Sequence, residues 1–186
     1  MPVLPGPRDA RQRYRVCFVC TGNICRSPMA DVVLRRLADE AGFSDRLMVS
    51  SAGTGPWHEG EPMDPRAHEA LAAAGYADHG HVAHQFDPSW FDELDLLVAL
   101  DRRHRQTLDS LAAGRSVDDR LVLLRAFDRN AGGAVDVPDP YYGDAADFAQ
   151  CLMMVEAGGR GLAVALAELL IAPGSLAAGL APEGPS

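Results

Sequence analysis

An apolar run, Val16-Cys17-Phe18-Val19, leads into Cys20-Thr21-Gly22-Asn23-Ile24-Cys25-Arg26-Ser27-Pro28. Met29, Val33, Leu37 and Ala41 then recur at helical spacing as far as Gly42. This stretch constrains the fold more than any other. A buried strand must end near Cys20, turn within a few residues and open a helix. Ser27 suits the N-cap of that helix, and Pro28 its first position. A thiol therefore stands on a strand-to-helix turn, where backbone amides and a helix N-terminus can cradle an anion.

The rest of the chain repeats the alternation. Short apolar runs at 47–51, 95–100 and 120–124 read as strands, and 64–75, 102–113 and 147–171 as helices. Such a pattern predicts a single α/β domain: a doubly wound parallel sheet with helices on both faces. Ligands in such sheets bind beyond the carboxyl ends of the strands, which gathers Cys20, Ser51 and Asp101 on one rim. Residues 1–13, rich in Pro and Arg, read as a flexible extension. Residues 172–186, rich in Ala, Gly and Pro, read as a flexible tail. The domain then spans 14–171.

Composition removes several functions. The formal charge of −9 argues against a nucleic-acid surface. No apolar stretch reaches the roughly 20 residues needed to cross a bilayer, and no signal peptide is read at the N-terminus, so a cytoplasmic location is expected, export by another route aside. All 17 basic residues are arginine. The chain thus lacks the lysine of a nucleotide P-loop or a Schiff-base enzyme. Any cation that the chemistry needs must be Arg or protonated His.

The spacing Cys-x5-Arg has a chemical logic. Thr21, Gly22, Asn23, Ile24 and Cys25 can wrap a ring whose amides face a tetrahedral oxyanion. Gly22 eases the turn and Asn23 braces it. Arg26 offers a planar fork for two phosphoryl oxygens. The same positive field favours the thiolate of Cys20 over the thiol, whose ordinary pKa is about 8.5. Ser27 can donate its hydroxyl to the sulfur. Attack on a phosphate monoester also needs an acid for the leaving oxygen. Val137-Pro138-Asp139-Pro140-Tyr141-Tyr142-Gly143 offers one, with Asp139 held between two prolines and two tyrosines as a wall. By itself this segment reads equally well as a Pro-rich turn.

Taken together, Cys20–Pro28 and Asp139–Gly143 resemble the low molecular weight protein tyrosine phosphatase family, most closely its bacterial members. His81-Val82-Ala83-His84-Gln85, Ser50-Ser51-Ala52-Gly53-Thr54 and the pair Trp57-His58 share the likeness, which runs from about Tyr14 to Ile171. His84 departs from the Arg usual in the family. The resemblance implies a four-stranded sheet of order 2-1-3-4 and a phosphotyrosine-protein phosphatase that works without cofactor or metal. It also implies a phosphocysteine on Cys20, phosphoryl binding by Arg26 and proton transfer by Asp139. Asn23, Ser27, Ser51 and His81 would hold the loop, with Asp101 near it. Trp57, Tyr141 and Tyr142 would line the cleft. The implied partners are phosphotyrosine proteins or peptides, with phosphate or another oxyanion as product or inhibitor, acting on a monomer.

The remaining residues read as follows. Cys17 and Cys20 stand three apart on a strand and should face opposite sides, so Cys17 belongs to the core and not to a redox pair. Cys25 lies close enough to Cys20 for a reversible disulfide, as in family members. Cys151 falls on an apolar helical stripe. His68, His79 and His104 read as solvated, and Trp90 as a packing residue. Arsenate reduction would need further cysteines between 26 and 150, where none occurs. Arginine phosphatases of this kind carry Thr in place of Ile24 and lack the tyrosine pair. A non-catalytic binding module would have lost Cys20, Arg26 or Asp139.

Overall fold

The structure, a computed structural model, describes residues 2–77 and 79–171. The expected tail, 172–186, lies outside the described residues. Strands β1 (Tyr14–Cys20), β2 (Leu47–Gly53), β3 (Leu96–Ala99) and β4 (Leu121–Leu123) form one parallel sheet in the order β2-β1-β3-β4. The helices are α1 (Arg26–Ala41), α2 (Pro65–Ala73), α3 (Arg102–Leu111) and α4 (Ala145–Ile171). The architecture is the one the alternation predicts.

Strand β1 shows why. All its residues but Arg15 are buried, so both of its faces meet protein. Tyr14, Val16, Phe18 and Cys20 join the larger core, which contains Met29, Val33, Phe148 and Val155 of α1 and α4. Cys17 and Val19 point the other way, into a second core with Leu108 of α3 and Phe91. Cys17 and Cys20 thus lie on opposite faces. Burial pushes the Cys17 thiol up to about 12, as suits an inert core group. Phe18 and Phe148 are fully enclosed, each contributing roughly 1.5–3 kcal/mol through burial.

Helix α4 packs across α1 and across a short 3-10 turn at Leu124–Phe127. The approach is close enough that a Cβ on Gly161 would lie 2.0 Å from the Phe127 carbonyl oxygen. Only glycine fits there, at a cost of about 1 kcal/mol in helix propensity. This turn and two others, Ser44–Arg46 and Pro88–Asp92, are too short to leave a periodic signal.

Helix α1 begins earlier than its sequence suggests. Arg26 is its first residue and Cys25 its N-cap, with no side-chain capping bond. Ser27 does not cap, because its hydroxyl is taken up by Asn23, Cys20 and the Ala52 carbonyl. Pro28 sits in the first turn, where its missing N–H leaves no intrahelical bond unmade. The N-terminal extension forms no helix or strand. Arg8 within it donates from its backbone N to Asp95 Oδ1 (2.6 Å) and from its side chain to the Leu94 and Phe91 carbonyls. Among the described residues, no helix is long and apolar enough to cross a membrane.

Candidate active site

The parallel register places Cys20 opposite Gly53 and Val19 opposite both Ala52 and Ala99. The carboxyl ends of β1, β2 and β3 therefore share one rim, and Cys20, Ser51 and Asp101 meet there. Gly53 permits the tight junction. A Cβ on it would lie 2.8 Å from the Thr21 carbonyl oxygen and 3.1 Å from that of Gly55. Two bonds tie the following loop to the strand end: Thr54 N to Cys20 O (2.8 Å) and Gly55 N to Thr21 O (3.2 Å).

The loop from Cys20 to Ser27 is braced from inside by Asn23, which is wholly buried. Its φ of 57° lies in the left-handed region, which Asn tolerates better than most residues. Its amide nitrogen donates to Ser27 Oγ and Ser51 Oγ, both at 2.9 Å. Its amide oxygen accepts from His84 N (3.0 Å), and its carbonyl lies 2.6 Å from His81 Nε2. Ser27 Oγ lies 3.0 Å from Cys20 Sγ and 3.3 Å from the Ala52 carbonyl. Having accepted from Asn23, Ser27 has one proton for the sulfur or that carbonyl. No protein acceptor is found among the described residues for the backbone amides of residues 21–25.

Arg26 is 3% exposed and still charged, so its partners must be counted. Its NH1 donates to Asp101 Oδ2 (2.9 Å) and the Val137 carbonyl (3.2 Å). Its NH2 donates to Asp139 Oδ2 (2.7 Å) and Thr21 Oγ1 (3.2 Å). Its Nε has no protein partner among the described residues. Asp101 serves two elements, since its Oδ1 caps α3 by accepting from His104 N (2.8 Å).

Asp139 arrives from the long loop after β4. Val137 N donates to Leu100 O (2.9 Å) and pins that loop to the end of β3. The Asp139 side chain is 45% exposed, and its Oδ1 accepts from Tyr141 N (3.3 Å). Beyond it the rings of Tyr141 and Tyr142 meet edge to face at 5.0 Å, and Tyr142 is 96% exposed. Cys20, Thr21, Gly22, Ile24, Cys25, Arg26, Trp57, His58, Asp139 and both tyrosines enclose a cleft of about 400 Å³. Trp57 stands exposed at its mouth.

Of the other cysteines, Cys25 contributes to the cleft wall, and Cys17 and Cys151 do not line it. Cys25 and Cys151 are buried, and all the described cysteines are free thiols. Burial first, then the charge of Asp64, pushes the Cys25 thiol up. Burial likewise pushes Cys151 up to about 12. Trp90, partly buried, packs edge to face on Phe86, as expected of a packing residue. The side chain of His84 also meets Trp90, so the loop uses only its backbone N–H.

Two residues escape sequence reasoning. His104, expected on a solvated face, is 4% exposed, and its Nε2 lies 2.9 Å from Thr21 Oγ1. Its place at N3 of α3, directly over the rim, is a tertiary fact that the charged sequence around it conceals. Arg66 forks onto Asp64 (NH2–Oδ2 2.8 Å, Nε–Oδ1 3.0 Å) and donates to the Gly143 carbonyl (3.1 Å). Its guanidinium also lies over Tyr141, 5.7 Å from the ring centroid. It braces the aromatic wall from behind.

Comparison with known proteins bears on this geometry. A family profile described as low molecular weight phosphotyrosine protein phosphatase matches residues 15–170. The chain is 53% identical over 156 residues to a low molecular weight protein-tyrosine-phosphatase of Streptomyces coelicolor, covering 83% of this chain and 94% of that one. It is 45% identical over 148 residues to low molecular weight protein-tyrosine phosphatase A of Mycobacterium tuberculosis, covering 79% and 88%. The crystal structure of YfkJ from Bacillus subtilis superposes with a TM-score of 0.79 at 31% identity, covering 84% of this chain and 96% of that one.

Proposed function

The chain belongs to the low molecular weight phosphotyrosine protein phosphatase family and is a protein-tyrosine-phosphatase; on that premise we propose that it hydrolyses aryl phosphate monoesters through a phosphocysteine on Cys20, with no metal in the reaction. One observation carries this reading. Cys20, Arg26 and Asp139 converge on a single cleft whose loop amides have no protein acceptor among the described residues.

The steps follow from the contacts. Phosphoryl oxygens take the loop amides and the Nε and NH2 positions of Arg26, displacing Asp139 from NH2. The Cys20 thiolate attacks phosphorus as the P–O bond to the phenol breaks. Asp139, released from Arg26 and protonated from solvent, gives that proton to the phenol oxygen. It then takes a proton from water, which attacks phosphorus and expels Cys20 as thiolate and phosphate as product. The Ser27 hydroxyl, 3.0 Å from the sulfur, stabilises the thiolate as it leaves. Positive charge for the transition state comes from Arg26 and the amide ring.

Trp57, Tyr141 and Tyr142 give the cleft depth for an aromatic ring, which favours phosphotyrosine proteins and peptides. Ile24 in its wall argues against phosphoarginine. Inorganic phosphate and similar oxyanions should compete. We assign the domain to residues 14–171 and its place of action to the cytoplasm as a monomer, a setting that fits four unpaired thiols. Cys25 is assigned a protective role towards oxidised Cys20.

The test is turnover of p-nitrophenyl phosphate at mildly acidic pH in excess chelator, with Cys20→Ser as control. Turnover by the wild type and none by the variant is expected. A wild type inactive with chelator, or an active Cys20→Ser, overturns the mechanism. Peptides bearing phosphotyrosine, phosphoserine or phosphoarginine then settle the substrate class.

A further inference from the structure

We propose that His104 is a positioning residue for the reaction, holding Arg26 in its phosphate-binding orientation through the hydroxyl of Thr21. The inference rests on the reading of Arg26 as the phosphoryl-binding group.

Four groups close a ring. Arg26 NH2 donates to Thr21 Oγ1 (3.2 Å), which lies 2.9 Å from His104 Nε2. His104 Nδ1 lies 3.0 Å from Asp101 Oδ1, in ion-pair range but without hydrogen-bond alignment. Asp101 Oδ2 accepts from Arg26 NH1 (2.9 Å) and completes the circuit. Charge selects the tautomer. A lone pair on Nδ1 would face the Asp101 carboxylate, so the ring proton belongs there. Nε2 then accepts from the Thr21 hydroxyl, whose oxygen accepts from Arg26. The Arg26 and Thr21 protons then each face a lone pair, and the Nδ1 proton lies on the side of the Asp101 carboxylate.

The arrangement needs a neutral imidazole. Burial first, then the charge of Arg26, lowers the His104 pKa to about 4, against the smaller pull of Asp101, Asp139 and Asp136. These groups face His104 from α1, from the N-cap of α3 and from the 128–144 loop. Protonated Nε2 would donate to Thr21 and turn the hydroxyl proton away from its present partner.

The ring matters because of what Asp139 does. At rest, Arg26 NH2 is shared by Asp139 and Thr21. When Asp139 turns to the leaving oxygen, Thr21 is the side-chain acceptor that remains on NH2. Thr21 is itself exposed, so its rotamer is set by the buried histidine behind it.

The experiment is a double-mutant cycle on kcat/KM with an aryl phosphate. Thr21→Val and His104→Leu should each lose about tenfold, and the double variant no more than the larger single loss. A purely structural role for His104 would make the losses multiply, and that overturns the inference. So does a Thr21→Val variant with wild-type kcat/KM, a measurement that stands even where His104→Leu does not fold. As a second readout, the imidazole of wild-type His104, followed by NMR, should stay neutral down to about pH 5. Titration near 6.5 would mean an open, unengaged ring and would equally overturn the inference. If Cys20→Ser or Arg26→Ala stays active, the reading of the site fails instead, which keeps the two failures apart.

Discussion

Asn23 and Asp139 serve the same cleft under opposite conditions. Asn23 is wholly buried, and its amide engages Ser27, Ser51 and the backbone of His84. Asp139 is nearly half exposed and held by Arg26 and one backbone amide. The difference follows their tasks. A loop that stabilises developing charge works best with its dipoles fixed beforehand, so that nothing reorganises during the reaction. An acid must occupy at least two positions, on Arg26 at rest and at the leaving oxygen in the reaction. Proline on either side limits how far its backbone strays, while solvent exposure lets the side chain turn.

The sharpest way to break this comparison is to remove the acid. Asp139→Ala should slow the first chemical step by about 10²- to 10⁴-fold for an alkyl-substituted phenyl phosphate, whose leaving group needs a proton. The loss should shrink for p-nitrophenyl phosphate, which leaves without one. Equal losses on both, or none on either, would place the acid elsewhere. Folding should change little, because Asp139 is itself nearly half exposed and the buried Arg26 keeps Asp101, the Val137 carbonyl and Thr21 as partners.

Removal of the brace should show the reverse profile. Asn23→Ala deletes the bonds to Ser27, Ser51 and His84 N and puts Ala in the left-handed region. A stability loss of about 2–4 kcal/mol is expected from lost buried bonds and backbone strain. Activity should fall by about tenfold or more, by a similar factor for good and poor leaving groups. Chemical denaturation beside kcat measures both. A variant as stable as wild type would mean that the loop is held by its backbone alone.

The same contrast explains what could be read from the sequence. Cys20, Asn23, Arg26 and Ser27 are close along the chain, so their shared turn is a local fact and leaves a local signal. Asp139 is legible because two prolines and two tyrosines mark it. Its distance from Arg26 is not, since it depends on Val137 pairing with Leu100 at the end of β3. The opening of α1 is misread at Ser27 for a physical reason. The Ser-Pro pair has a strong capping signature, but the hydroxyl finds better use against Asn23 and Cys20. His104 lies between arginines, which read as surface. Its burial comes from α3 settling over the rim, and no pattern within residues 102–111 encodes that.

Cys25 gives the finest test of the fixed half, because its substitution should disturb resting catalysis least. It lies in the same cleft wall as Cys20, yet burial, aided by Asp64, holds it as thiol. Peroxide oxidises the Cys20 thiolate to a sulfenic acid. Cys25 then attacks that sulfur, its proton leaving with the hydroxide as water, and a disulfide remains that a dithiol can reduce. Without Cys25, a second peroxide carries Cys20 to the sulfinic acid, which thiols do not reverse. Peroxide-treated wild type should therefore regain most of its activity in dithiothreitol, and Cys25→Ser should regain little. Full recovery by Cys25→Ser would show that the fixed loop protects its nucleophile in some other way, with the neighbouring sulfur serving only to pack.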